Sequence, residues 1–132
     1  MKAKSGFTLV EILIVVVILG ILAAIVIPQF TDASTEAKTS SLCSNLQTIR
    51  SQIELYKIQH NDNPPLLASF EAQMTGSTDE SGTVGAGDLG PYLREIPVEP
   101  FTGSNAVTAA ANTGWNYTQA TGEFWAPYDP NL

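Results

Sequence analysis

Apolar side chains follow two different patterns along this chain. From Phe7 to Ile27 they are nearly continuous: Thr8 and Glu11 are the obviously polar side chains, and Ile12 to Ile27 holds none. Further on, Leu42, Leu46, Ile49, Ile53 and Tyr56 recur at steps of four, three, four and three residues, which is one stripe of a helix. Glu36, Lys38, Gln47, Arg50, Gln52, Glu54 and Lys57 fill much of the remaining surface. The 21 residues from Phe7 to Ile27 rise about 1.5 Å each and span roughly 31 Å, the thickness of a hydrocarbon core. One helix is therefore expected from the apolar run to about His60, where Asn61-Asp62-Asn63-Pro64-Pro65 stops it. The stripe lasts barely two heptads, too short for a coiled coil, and predicts a face that receives a small sheet.

After the helix the periodicity weakens. Leu66 to Met74 reads as a short helix or an irregular cover, and Thr75 to Gly90 is rich in Gly, Ser, Thr and acids with no apolar period. Short strands and turns are expected from Leu93. Ile96-Pro97-Val98-Glu99-Pro100-Phe101-Thr102-Gly103 reads as extended and pinned by proline. Trp115-Asn116-Tyr117-Thr118 and Glu123-Phe124-Trp125-Ala126 alternate around Ala120-Thr121-Gly122, a hairpin signal with glycine at the left-handed position. Trp115, Tyr117, Phe124 and Trp125 put aromatic area on both faces of that ribbon, for packing on the helical stripe or as a binding platform. The expected fold is α+β: a long N-terminal helix, half membrane and half amphipathic, packed on a small C-terminal antiparallel β headpiece with extended loops. Its expected segments are 1–6, 7–27, 28–61 and 62–132.

Charge narrows the partners. Six basic and 13 acidic side chains give −7; without Lys2 and Lys4, four basic against 13 acidic give −9. Such a surface repels phosphate backbones, so no nucleic acid partner is expected. The single cysteine, Cys43, excludes an intrachain disulfide and reads as a small side chain packed within a helix. His60 is a lone histidine at a helix end, where a favourable terminal charge is the expected role. With no serine, histidine and acid set and no metal-ligand spacing, no enzyme is expected. Gly85-Ala86-Gly87-Asp88-Leu89-Gly90 has the form G-x-G-x-x-G, but no strand precedes it and Pro91 follows, which excludes a dinucleotide site. Asn116-Tyr117-Thr118 is a formal glycosylation sequon inside a strand and carries little weight.

The N-terminus carries the functional signal. A conventional secretory signal cut after Ala24 would want a small residue where Leu22 stands, and a lipoprotein signal would need cysteine where Ile25 stands. A retained membrane helix fits better. Lys2 and Lys4 on one side, with Asp32 and Glu36 on the other, place the N-terminus in the cytoplasm and the bulk of the chain outside. Glu11 is out of place in an ordinary anchor, because a carboxylate within the membrane costs about 2.5–3.5 kcal/mol unless it lies near the headgroups or finds a partner.

Gly6-Phe7-Thr8-Leu9-Val10-Glu11, the apolar run behind it and Pro28 just past its end resemble the class III leader of type IV pilins and type II secretion pseudopilins. The resemblance covers residues 1 to about 30. It implies that residues 1–6 are a leader, that a prepilin peptidase cuts between Gly6 and Phe7, and that Phe7 is then N-methylated. It implies that Glu11 and Phe7 set subunit register, that Gly20 and Pro28 allow the helix to extend or melt on packing, and that the chain polymerises. Implied partners are further copies of the chain, the peptidase and methyltransferase, an inner-membrane assembly platform, other pilin-like subunits and the membrane itself. Implied localisation is a single pass of the bacterial inner membrane with a periplasmic headpiece, then a periplasmic or extracellular filament.

The short headpiece and the missing C-terminal disulfide loop suit a pseudopilin that helps drive type II secretion. The alternatives are a major or minor pilin of a surface pilus, or a low-copy pilin-like module that displays its headpiece to a ligand. Major pseudopilins often bind calcium in the C-terminal region, for which Asp79, Glu80, Asp88 and Asp129 are the nearest acids; a solvated acidic loop is the plainer expectation.

Overall fold

The computed structural model describes residues 6–128; Lys2, Lys4 and Asp129 lie outside them. The chain forms two compact units, Met1–Ala37 and Lys38–Leu132. Helix α1, Leu9–Gln59, runs through 51 residues and contains Pro28. Proline has no amide to continue the i to i−4 ladder, and the hydroxyls of Thr31 and Thr35 bond back to Ile27 O (3.2 Å) and Thr31 O (3.0 Å) just beyond it. In the first unit every large apolar side chain from Leu9 to Ile27 is at least 43% exposed, so nothing in this unit covers the run.

The second unit has an ordinary core. Leu42, Leu46, Ile49, Ile53 and Tyr56 are all buried, as their spacing predicts. The helix ends where expected. Asn61 takes φ 54°, and the Asp62 amide reaches back to Lys57 O at 2.8 Å, a Schellman-type closure in which asparagine tolerates the left-handed conformation. A 3₁₀ turn, Leu67–Ser69, leads into the six-residue helix α2, Phe70–Thr75. Phe70 and Met74 point from it into the core.

Three short strands complete the unit: β1 (Val107–Thr108), β2 (Trp115–Thr118) and β3 (Glu123–Trp125), in the order β1-β2-β3. The predicted hairpin is β2–β3, antiparallel, with Tyr117 opposite Phe124 and Asn116 opposite Trp125. Gly122, at φ 79°, donates to Thr118 O and closes the turn. Strand β1 departs from the antiparallel expectation because it pairs with β2 in parallel, making the sheet mixed. Parallel neighbours normally need a crossover of a dozen or more residues. Here the strands are so short that a tight loop suffices, held by the Asn116 side chain on both backbone groups of Ala111.

Alternation then explains the aromatics. Trp115, Tyr117 and Phe124 share one face and are buried against the helical stripe, with Phe70 4.7 Å from Tyr117 and Phe124 5.4 Å from Trp115 between ring centres. Packing, not a binding platform, accounts for these three rings. Trp125 lies on the other face, half-buried. The Arg50 side chain donates from Nε to Phe124 O (2.8 Å), fixing β3 to the helix. The Ile96–Gly103 stretch joins no ladder; it closes as a turn around Glu99.

Burial of tyrosine hydroxyls makes the fold sensitive to base. Desolvation pushes Tyr56 up to about 12, aided by Tyr92, and raises Tyr92 and Tyr117 as well. An unfolded tyrosine titrates near 10. Between about 10 and 12 the unfolded chain releases protons that the folded chain keeps, so stability falls as pH rises. Alkaline unfolding is expected in that window. Tyrosinate absorbance should rise together with loss of near-ultraviolet circular dichroism. Ionisation of all tyrosines near pH 10 with the dichroism intact would contradict this.

Candidate assembly site on the N-terminal helix

The start of α1 is built by two polar side chains. Thr8 precedes the first helical residue, and its Oγ1 accepts the Glu11 amide (3.2 Å). Glu11 Oε2 in return accepts the Thr8 amide and the Thr8 hydroxyl, both at 2.8 Å. This reciprocal capping box satisfies helix amides that have no intrahelical partner, and it sets a carboxylate in the first turn, where the helix dipole favours it. Thr8 is the residue that the sequence reading passed over, although Thr-x-x-Glu ahead of an apolar run is itself the capping signal. Phe7 lies just outside the helix and is 81% exposed.

Beyond the cap the helix presents apolar side chains on all sides, through a window of mean hydropathy 3.3. A helix that is apolar all round is stable where lipid or other helices surround it. At Gly20 an added side-chain carbon would meet nothing within 4 Å, so no contact in this chain requires glycine there. Pro28 lies one residue past the run, inside α1. Phe7 and Glu11 thus sit together at one end of the apolar segment, whereas Gly20 and Pro28 mark its distal part.

Several side chains of the second unit lie elsewhere than expected. Cys43 is in the helix but exposed, one residue off the buried stripe, rather than packed into the core. His60 is buried rather than an exposed terminal charge. Its ring stacks on Tyr56 at 3.6 Å, Nδ1 lies 2.7 Å from Tyr56 O, and Nε2 lies 3.0 Å from Thr78 Oγ1. The carbonyl can only accept, so Nδ1 donates to it, while Nε2 and the Thr78 hydroxyl share the second hydrogen bond. Asn116 is 5% exposed, with its amide engaged by Ala111, so the sequon offers no accessible acceptor. The Gly85–Gly90 segment lies in a loop with no strand before it.

Among the described residues no three His, Cys, Asp or Glu side chains converge. Asp79 is half-buried, and its Oδ1 is engaged by the Ser81 hydroxyl (2.7 Å), the Thr83 amide (2.8 Å) and the Ser81 amide (3.0 Å). These donors, the Ser81 hydroxyl foremost, hold its carboxyl below the usual range.

The prokaryotic N-terminal methylation motif matches residues 1–27. Type II secretion system core protein G of Pseudomonas aeruginosa is 35% identical over 100 residues, covering 76% of this chain and 70% of that protein. The proteins of the same name from Klebsiella pneumoniae and Aeromonas hydrophila are each 29% identical, over 101 and 100 residues; 76% of this chain is covered in both cases, with 71% and 69% of the relatives. No solved structure matches the chain.

Proposed function

The chain belongs to the type II secretion system core protein G family, and from that membership we propose how it is processed, anchored and assembled. As a pseudopilin it is a structural subunit. The observation that carries the assembly route is the run Leu9–Ile27, whose large side chains are all exposed while a carboxylate stands in its first turn.

Before assembly the run lies in the inner membrane. Its N-terminus is cytoplasmic and the unit from Lys38 onward is periplasmic, the orientation favoured by Lys2 and Lys4. A membrane peptidase cuts between Gly6 and Phe7, leaving the anchor in the mature chain and creating an ammonium at Phe7 that is then methylated. The new cation opposes the helix dipole, whereas Glu11 is favoured by it. In a growing filament the Phe7 ammonium of one subunit pairs with Glu11 of its neighbour, offsetting the desolvation of both. Gly20 and Pro28 weaken the distal ladder and let the helix extend as subunits pack. Lengthening of this periplasmic filament by addition of subunits at an inner-membrane platform would push folded cargo outward. The match to core protein G favours this reading over a surface pilus or a low-copy binding module.

Mass spectrometry of the protein purified from membranes tests the first step on which the rest depends. The expected mature chain begins at Phe7 and is one methyl group heavier than the bare sequence. A chain that begins at any other residue overturns the processing scheme.

A further inference from the structure

Major pseudopilins resembling this chain often hold calcium in the C-terminal region, and calcium takes about six to eight oxygen ligands. In this headpiece the oxygens of Asp79 and Glu99 are met by N–H and O–H donors instead. Glu99 is fully buried, at 0% exposure. Its Oε1 accepts the Phe101 amide (3.0 Å) and its Oε2 accepts the Thr102 amide (2.6 Å). Glu99 also donates its own amide to Ser104 O and accepts the Gly103 amide on its carbonyl, both at 2.8 Å. Amides aimed at a carboxylate turn their positive ends toward the space that a cation would need, and charge-assisted bonds of this kind are the strong ones.

The neighbouring loop is tied to the same turn. Thr102 Oγ1 accepts the Gly114 amide (2.9 Å), and Trp115 Nε1 donates to Pro97 O (2.7 Å). Asn116 spans the loop by accepting the Ala111 amide (2.8 Å) and donating to Ala111 O (3.2 Å). Gly114, at φ 70°, passes so close to Ala106 O that a side-chain carbon there would collide with it. Among the described residues no buried side-chain nitrogen or oxygen lacks a partner, so no group waits for an ion. Asp129 lies outside these residues, and one carboxylate would supply at most two of the oxygens calcium requires.

We propose that this headpiece is a calcium-independent form of the family's fold, with the Glu99 carboxylate and the Asn116 amide holding the 97–116 loops in place without a cation. The inference does not depend on filament growth, and its test uses the isolated subunit.

Full-length protein in detergent would be melted, followed by circular dichroism, in chelator, in about 10 mM calcium chloride and in the same concentration of magnesium chloride, a level well above the affinity of extracellular calcium modules. The three midpoints should agree within about 2 °C, since a site filled at a hundred times its Kd would raise the midpoint by about 10 °C or more. A calcium-specific rise of that size overturns the proposal. Glu99→Gln, which leaves a buried neutral amide facing two N–H donors, should melt at least about 10 °C lower in all three solutions. If it melts with the unaltered protein, the assignment to Glu99 is wrong.

Discussion

Filament assembly is expected to fail in Glu11→Ala, with the subunit still inserted in the membrane and its headpiece still folded. Removing a carboxylate from a membrane helix makes insertion easier, by about 2.5–3.5 kcal/mol at the bilayer centre, so loss of filaments could not be blamed on targeting. The headpiece core is built from residues of the other unit. Under the proposed pairing, what the variant loses is the partner of an incoming ammonium. Leaving one member of a buried ion pair alone costs about 3–5 kcal/mol, more than a hundredfold in each docking equilibrium.

Glu11 also caps its own helix through Thr8, and the two roles are separable. Glu11→Gln retains an oxygen that can accept the Thr8 amide and removes only the charge. If capping were the whole role, the glutamine variant would assemble like the unaltered protein. Under the pairing reading it should fail almost as badly as alanine. Sheared-fibre fractions probed by immunoblot, beside negative-stain microscopy, read the difference. Normal filament yield in Glu11→Gln would end the pairing account.

How much of this was legible in the chain differs from element to element. The helical stripe was read residue by residue, because five apolar positions at helical spacing leave one face to bury. The β2–β3 hairpin was equally plain, since Gly122 marks the turn and alternation sorts Trp115, Tyr117 and Phe124 from Trp125. Strand β1 carried no signal: two residues have no period, and its parallel register depends on Asn116 clasping a loop distant from any apolar pattern. His60 looked like a solvated cation because sequence shows the end of a helix but not the Thr78 loop that folds over it. Glu99 was hidden for the same reason. An acid between two prolines reads as surface, and only the return of the Phe101 and Thr102 amides makes it a buried latch. At the start of α1 the Thr8 cap needed the helix start to be fixed to a single residue, whereas the motif letters around Phe7 and Glu11 stand in the sequence itself.

Trp115→Ala is expected to be the most damaging single change in the headpiece. Trp115 is completely buried on the inner face of β2, stacks obliquely on Phe124 and ties down Pro97 through its indole N–H. Truncating a buried tryptophan costs about 3–5 kcal/mol, the sum of lost transfer energy and a cavity that the surroundings only partly fill. A unit of this size has about 5–14 kcal/mol in total, so about a fifth of its stability or more would go. The midpoint should drop by roughly 15–30 °C. Trp125 offers an internal control, because it stands opposite Asn116, one pair along the hairpin, on the other face and only half-buried. Trp125→Ala should cost well under half as much. Urea unfolding followed by far-ultraviolet circular dichroism compares them without relying on the fluorophore that each variant removes. Similar losses from both substitutions would mean that the sheet does not bury one face against the helix, and the packing described for this unit would be wrong.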